Sequence, residues 1–334
     1  MSAETFPSST PAPSSRPAPS SNSAPPQDKT QAAGASAPGG ATCGVGVIGL
    51  GTMGAPMAGH MLAAGLDVHV HARRPAASAA LAEAGATAHP TAAALAARCS
   101  VVVLVVPDLP DVEALLGGPD GLLAVVDHPL VIVISSTVSP EGVRQLGARL
   151  DAETRGLVQV VDAPISGGER GAIAGTLAIM VGGRDHDVAL AWPALQACGN
   201  PAHLGPIGAG QVAKACNQMI VAATVLALSE ASIVAERAGL DVQALFDLLG
   251  TGLAGSQVLE QKKHALVTHE HPPSGPAKFM VKDLRFATAE ARAGGTVTPQ
   301  LDVLSEVFIA LTEAGLGEQD VAVVQTYVQN LRLP

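Results

Sequence analysis

Valine and isoleucine runs alternate with helix-patterned stretches through the first half of the chain. Runs with so little polar alternation inside them are typical of strands buried on both faces of a parallel sheet. We expect such strands at residues 44–49, 68–72, 101–106, 130–134, 157–161 and 177–181. Between the first five, helical periodicity predicts helices at residues 54–64, 76–84, 92–98, 111–116 and 140–150. Strands that alternate with helices indicate an α/β fold.

The strand pattern stops near Gly205, and only helical patterns follow it. These patterns cover residues 209–238, 242–249, 257–266, 281–293, 299–314 and 319–331. The sequence therefore predicts two domains, an α/β domain at residues 43–205 and an all-α domain at residues 206–334. Proline, serine and alanine dominate residues 1–42, which lack the apolar side chains of a core, so we expect a disordered tail there.

Composition and charge narrow the classes of partner. The chain has 334 residues, a formal net charge of −10 and 2% aromatic residues. It has no stripe of lysine and arginine to replace phosphate counterions, so we expect no nucleic-acid partner. The longest apolar run, residues 219–228, is about half of a membrane span, so we expect no membrane partner either. Four widely spaced cysteines without a C-x-x-C pair favour buried thiols in a reducing cytoplasm: Cys43, Cys99, Cys198 and Cys216.

A glycine-rich turn follows the first predicted strand and opens the first predicted helix. Its six residues, with the spacing G-x-G-x-x-G, are Gly49, Leu50, Gly51, Thr52, Met53 and Gly54. In this context the first glycine permits a tight turn, the second lets the backbone approach a pyrophosphate, and the third lets the helix pack on the strand. The sequence therefore predicts a Rossmann-type N-terminal domain that binds a nicotinamide dinucleotide.

The end of the second predicted strand bears on the choice of coenzyme. An NAD site usually presents a carboxylate there for the ribose 2′-OH, but this chain has Ala72 at that point. Arg73 and Arg74 follow, and their guanidinium groups could bind a 2′-phosphate. The alternative is that both arginines only solvate a surface turn. We expect NADP to be favoured, with NAD possible.

Two later segments carry groups suited to a carboxylate substrate. Ser166, Gly167 and Gly168 could form an anion-binding concavity from a hydroxyl and successive N–H groups, although composition alone allows an ordinary loop. Farther along, Lys214 lies on one helix face with Asn217 and Gln218.

Lys214 lies early in a long apolar helix, where its ammonium would be poorly solvated. Desolvation lowers the pKa of a lysine and suits it to proton transfer near neutral pH. The alternative is a lysine whose ammonium reaches solvent at a helix end.

Together, four motifs resemble those of the β-hydroxyacid dehydrogenase family. They are the glycine turn, the Asp-Ala-Pro-x-Ser-Gly-Gly segment at 162–168, the Lys-x-x-Asn of 214–217 and the Lys-Asp-Leu of 282–284. The resemblance extends over nearly all of residues 43–331. Residues 166–169, 214–218 and 252–256 are similar to the 2-hydroxy-3-oxopropionate reductase branch of the family, which also includes 3-hydroxyisobutyrate dehydrogenases.

The resemblance implies a role for each matching residue. Lys214 would be the catalytic lysine, and Lys282 would close over the cofactor and substrate from the helical domain, with Asp283 orienting it. The substrate carboxylate would be held by Ser166, Gly167 and Gly168. Asn217 would bond near the reacting oxygen, and Gln218 would be a further substrate-binding residue. The nicotinamide end of the cofactor would be lined by Val106, Pro107 and Thr137. Some members have asparagine where this chain has Gln218.

These implications give a functional expectation. The resemblance implies interconversion of a small 3-hydroxy acid and its semialdehyde, with a reductase of another carbonyl or imine, or a non-catalytic cofactor-binding scaffold, as alternatives. We expect a small carboxylate substrate, no metal, a cytoplasmic location and assembly into a homodimer or homotetramer through the helical domain. The cluster of His264, His269, Glu270 and His271 lacks the spacing of a zinc site and reads as a solvated turn.

Overall fold

A nine-stranded sheet and thirteen α-helices make up residues 44–331, the part of the chain that the computed structural model describes. The strands are β1 Gly44–Ile48, β2 Val68–His71, β3 Thr87–Ala88, β4 Cys99–Leu104, β5 Leu130–Ile134, β6 Val158–Asp162, β7 Ile165–Ser166, β8 Leu177–Gly182 and β9 Gly199–Gly205. The helices of the first half are α1 Gly54–Ala63, α2 Ala76–Glu83, α3 Ala92–Ala96, α4 Leu109–Leu116, α5 Pro140–Glu153, α6 Gly168–Ala174 and α7 Asp185–Cys198. Those of the second half are α8 Ala209–Arg237, α9 Val242–Gly250, α10 Gln257–Thr268, α11 Lys278–Ala293, α12 Pro299–Glu313 and α13 Val324–Asn330. The tail predicted at residues 1–42 lies outside the described residues.

The sheet has the strand order β3-β2-β1-β4-β5-β6-β8-β7, with β9 paired to β8. The first six strands are parallel neighbours, whereas β8 is antiparallel to both β6 and β7. The order 3-2-1-4-5-6 is that of the doubly wound dinucleotide-binding fold, in which ligands bind beyond the carboxyl ends of the strands. The predicted α/β class and its Rossmann-type domain are confirmed.

The core lies on both faces of this sheet. Val101 and Val103 of β4 pack into one apolar cluster, and Val102 and Leu104 pack into the other, because successive strand residues point to opposite faces. Both clusters are built mainly from valine, leucine, isoleucine and alanine.

Helix α8 is the central element of the second half. It contacts α10, α11 and α13, and its first turns also contact β8 and β9. By length and composition it is long and apolar enough to cross a membrane, a test that the core helix of a soluble protein also passes. The last strand ends at Gly205, where the sequence predicts the change of class. The division into domains at 43–205 and 206–334 stays a prediction.

Several elements differ from the sequence prediction. Helices α6 and α7 were not predicted, and α7 contains Pro193, which normally breaks a helical pattern. Strand β9 was also missed, because it contains Pro201, which a strand at the edge of a sheet tolerates. The helix predicted at residues 319–331 is shorter, since a 3₁₀ turn at Val321–Val323 precedes α13.

Candidate active site

The glycine turn connects β1 to α1 with the geometry that its spacing predicts. Gly49 has φ +101°, a left-handed conformation that favours glycine. A Cβ on Gly54 would collide with the carbonyl oxygen of Gly49, so only glycine allows α1 to approach β1 this closely. A Cβ on Gly51 would meet nothing within 4 Å, so the turn leaves open space at its tip.

That open space belongs to a cavity of about 450 Å³ at the carboxyl ends of β1, β2 and β4. Seven of the residues predicted to bind cofactor line it: Gly49, Leu50, Gly51, Arg73, Arg74, Val106 and Pro107. The lining does not include Thr52, Met53, Gly54, Thr137 or Lys282. Size, position and the exposed glycine backbone fit a dinucleotide whose pyrophosphate lies at the start of α1.

The end of β2 presents cations rather than a carboxylate to this cavity. Ala72, Arg73 and Arg74 line it in sequence. The carboxylate in the lining is Asp111 on α4, and its Oδ2 accepts a hydrogen bond from the backbone N–H of Asp108 at 3.1 Å. Asp111 therefore completes the first turn of α4.

A second group of residues fixes the start of α8 against the sheet. Asp162, at the end of β6, is fully buried, and its carboxylate accepts hydrogen bonds from the backbone N–H groups of Gly208 at 2.7 Å and Gln211 at 2.8 Å. Burial raises the pKa of Asp162, and these bonds oppose the rise. Sequence reasoning assigned no role to Asp162 or Gln211, because their contact requires β6 to end beside the start of α8.

Gln211 extends this anchor to the loop after β5. Its side-chain amide oxygen accepts from the N–H of Val138 at 3.0 Å, and its Nε2 donates to the carbonyl of Ser136 at 2.9 Å. The hydroxyl of Ser136 in turn accepts from the N–H of Val106 at 3.1 Å. The cofactor-lining segment after β4 and the start of α8 are therefore joined through one buried glutamine.

Lys214 lies one turn beyond Gln211 on the same buried face of α8 and is only 7% exposed. Burial lowers its pKa from the ordinary lysine value to about 8, an effect that the charge of Lys282 reinforces and that of Asp283 opposes. Near neutral pH the ammonium and the amine are therefore both accessible, as proton transfer requires.

The predicted substrate residues meet next to this lysine. The Ser166 hydroxyl donates to the side-chain oxygen of Asn217 at 3.3 Å, and the Asn217 amide donates to Gln218 Oε1 at 3.0 Å. Gly167, with φ +135°, and Gly168, with φ +63°, follow Ser166, and a Cβ on Gly168 would meet nothing within 4 Å. The turn after β7 thus leaves room beside a hydroxyl and an amide.

Gln218 continues the chain of hydrogen bonds to α11. Its Nε2 donates to Asp283 Oδ2 at 2.6 Å, and Asp283 Oδ1 accepts from Lys282 Nζ at 2.9 Å. Lys282 Nζ also donates to the carbonyl of Thr137 at 2.6 Å, next to the cofactor-lining segment. In this arrangement Lys282 connects α11 to the loop after β5.

Two expectations about other polar residues need correction. Cys99 and Cys198 are buried, but Cys216 is exposed, because it faces away from the core side of α8; Cys43 lies outside the described residues. His264, His269 and Glu270 are exposed as expected, but His271 is buried against the segment that holds Asp320. Within residues 44–331 no three histidine, cysteine or acidic side chains group in a way that could hold a metal ion.

A glycine turn open to a pyrophosphate, joined through Gln211 to a helix that carries a desolvated lysine, defines an NAD(P)-dependent oxidoreductase. Comparison with known families agrees. A model of the NAD-binding domain of 6-phosphogluconate dehydrogenase matches residues 44–220, and one described as NAD-binding of NADP-dependent 3-hydroxyisobutyrate dehydrogenase matches residues 208–327. The chain belongs to the β-hydroxyacid dehydrogenase family, whose members act on the CH–OH groups of hydroxy acids.

Individual relatives cover nearly the whole described chain. An NAD-dependent L-serine dehydrogenase of Pseudomonas aeruginosa is 35% identical, over 83% of this chain and 95% of its own. The 2-hydroxy-3-oxopropionate reductase of Escherichia coli is 34% identical, over 83% and 94%. The chain in a solved structure of 3-hydroxyisobutyrate dehydrogenase from Mycobacterium tuberculosis with L-serine is 30% identical, with a TM-score of 0.74 over 86% of this chain and all of that one.

Proposed function

We propose that this protein is an NADP-preferring enzyme that interconverts a small 3-hydroxy acid and its semialdehyde. Tartronate semialdehyde and glycerate are the first candidate pair, and 3-hydroxyisobutyrate and 4-hydroxybutyrate are further candidates. The observation that carries the proposal is the burial of Lys214 beside the contact between Ser166 and Asn217. A cofactor-binding scaffold would have no use for a desolvated lysine at this point.

The proposed mechanism assigns proton transfer to Lys214. The coenzyme, when bound, supplies or accepts the hydride. In reduction the Lys214 ammonium donates a proton to the forming alkoxide, and in oxidation the neutral amine takes the hydroxyl proton. Its pKa of about 8 makes either form available at modest cost near neutral pH.

The carboxylate of the substrate would be bound by the turn after β7. The Ser166 hydroxyl and the N–H groups of Gly167 and Gly168 offer donors to an anion. Asn217 and Gln218 would present their amides near the reacting oxygen. This arrangement would hold the substrate CH–OH carbon between Lys214 and the cofactor cavity.

A preference for NADP is supported by the side chains at the end of β2. Arg73 and Arg74 line the cavity where a carboxylate would otherwise bind a ribose hydroxyl. We expect a variant with both arginines changed to alanine to lose at least about 10- to 100-fold in affinity for NADPH, since even one charge-assisted hydrogen bond contributes about 1.5–3 kcal/mol. Its affinity for NADH should change little, as equilibrium titration of coenzyme fluorescence would report. If the ratio of the NADPH and NADH affinities did not change, the two arginines would not support a preference for NADP.

The proposed setting is a cytoplasmic homodimer or homotetramer without nucleic-acid or membrane partners. The net charge of −10 supports the absence of a nucleic-acid partner. Exposed apolar side chains on α8 and α9, including Ile220, Val234 and Leu248, support a subunit interface on the helical half.

The deciding experiment measures initial rates with NADPH and NADH against tartronate, methylmalonate and succinate semialdehydes, glyoxylate and a cyclic imine. L-serine oxidation belongs in the panel, because one relative is a serine dehydrogenase and the structure of another was solved with L-serine. Turnover of a short semialdehyde with NADPH would support the proposal. If no acid in the panel were turned over and the cyclic imine were, the assigned substrate class would be wrong.

The role of Lys214 has its own test. Lys214→Ala should lower kcat by about 100- to 10,000-fold, the usual contribution of a general acid or base, while coenzyme affinity is kept. Lys278→Ala is the matched control, because Lys278 is a half-exposed lysine at the first residue of α11 that pairs with the exposed Glu318. If Lys214→Ala were as active as Lys278→Ala, the mechanism would be wrong.

A further inference from the structure

A histidine occupies the wall of the coenzyme cavity beside the two arginines. His71 is the last residue of β2, and it lines the cavity together with Ala72, Arg73 and Arg74. The same side chain borders an adjoining cavity of about 340 Å³, formed mainly by the residues before α3 and after α4. None of the motifs in the sequence assigns a role to this residue.

The ring of His71 is held in one orientation and one tautomer. Its Nδ1 lies 3.0 Å from the backbone carbonyl oxygen of His89. Because a carbonyl oxygen can only accept, Nδ1 must carry the hydrogen. The hydrogen bonds of residues 44–331 include none to Nε2 of this half-buried ring, so Nε2 is the nitrogen that remains available in a residue that lines the cavity.

Fixing Nδ1 as the donor has a consequence for any anion at this wall. In the neutral ring Nε2 is an acceptor and repels phosphate oxygens, so the ring must gain a proton before Nε2 can donate to a phosphate. Binding of a phosphate here is therefore coupled to protonation of His71.

The groups around the ring make this wall cationic. Arg73 and Arg74, which follow on the same loop, supply this charge, while His89 Nε2 lies 2.7 Å from His69 Nδ1. The pKa of His89 is lowered by burial and then by the charges of His69, Arg98 and His71. The acids of the neighbourhood are Asp111 across the cavity, Asp67 against His69, and Asp120 on the adjoining cavity.

We infer that His71 is a coenzyme-specificity residue whose protonated Nε2 binds the ribose 2′-phosphate together with Arg73 and Arg74. The inference rests on the proposed preference for NADP. Selection of the phosphorylated coenzyme should then strengthen as the pH falls. The phosphate's own second ionisation acts in the opposite direction, because a half-protonated phosphate is a weaker anion.

Calorimetric titration of the full-length protein with two fragments of the coenzyme tests this without any turnover. The probes are adenosine 2′,5′-bisphosphate and 5′-AMP, which differ only in the 2′-phosphate, at about pH 6.5 and about pH 8.5. The selectivity, the ratio of the two Kd values, should be about five- to tenfold greater at the lower pH. In His71→Phe and in His71→Gln, which keeps a neutral N–H donor, the gain in selectivity at the lower pH should be lost, and only the opposite dependence that comes from the phosphate itself should remain.

His186→Gln is the control, since His186 is an exposed histidine on α7 and should leave both selectivities unchanged. If the wild-type protein selects the bisphosphate and His71→Phe or His71→Gln keeps the full pH dependence, the inference about His71 is overturned while the NADP proposal survives. If the wild-type protein binds both fragments equally at both pH values, the NADP proposal fails and the inference fails with it.

Discussion

The pKa of Lys214 is set first by burial and then by two neighbouring charges. Burial of the ammonium lowers its pKa, the charge of Asp283 raises it and the charge of Lys282 lowers it again. The result, about 8, lies well below the usual lysine value, so folding itself prepares this residue for proton exchange.

This value predicts opposite pH dependences for the two directions of the reaction. Reduction requires the ammonium, so its kcat/KM, which reports the free enzyme, should fall as the pH rises through about 8. Oxidation requires the neutral amine, so its kcat/KM should rise over the same interval. Initial rates in both directions from about pH 6 to about pH 10 would measure this. Profiles with the same slope in both directions would contradict the assignment.

Asp283 should shift that profile without carrying the proton. Asp283→Asn removes the negative charge that favours the ammonium, so the inflection in both profiles should move to lower pH. Asp302→Asn makes the same change of charge on the exposed side of α12 and should leave the inflection in place. A shift of equal size in both variants would mean that net charge, rather than proximity to Lys214, is responsible.

At the scale of elements, α1 depends on glycine at one position and tolerates a side chain at another. A Cβ on Gly54 would overlap the Gly49 carbonyl, so Gly54→Ala should push α1 away from the turn and weaken coenzyme binding by tenfold or more. Gly59→Ala, on the same helix, meets open space and should instead stabilise the protein by about 0.5–1 kcal/mol. Calorimetric titration and urea unfolding would separate the two effects, and equal coenzyme affinities would disprove the packing argument.

The sequence predicted features that depend on neighbouring residues better than contacts between distant segments. Helices α1 and α8 were predicted to within a residue, because both have uninterrupted patterns and clear starts. Helix α7 was missed because Pro193 interrupts its sequence pattern, although the helix continues through that residue. Likewise Lys214 could be found from its apolar setting, whereas the contact of Asp162 with α8 joins residues 46 and 49 positions apart. Such a contact exists only once β6 and α8 have packed.

At the scale of the molecule, two sets of contacts tie α11 to the sheet half. Lys282 reaches the carbonyl of Thr137, and Arg144 of α5 forms a two-pronged contact with Glu290 at 3.2 and 3.3 Å. The second pair is partly exposed, so it should contribute at most about 1 kcal/mol to stability. Its geometric effect is to hold the C-terminal part of α11 against α5, while Lys282 holds the N-terminal part against the loop that follows β5.

At the scale of the whole molecule we predict that the chain forms an oligomer. Light scattering after size exclusion should return a multiple of the 33.4 kDa chain mass, because α8 and α9 leave large apolar side chains in water. Val234→Asp, at a residue that is 68% exposed on α8, should shift the species toward monomer without unfolding it. A wild-type monomer at micromolar concentration would contradict the proposed interface.

The bonds from Asp162 to the first turn of α8 also bear on how this architecture can change. The bonds that hold this turn to the sheet run from backbone N–H groups to Asp162 and involve no side chain of the helices after α8. Those later helices can therefore change sequence to admit other substrates while β6 still holds the start of α8, the helix that carries Lys214.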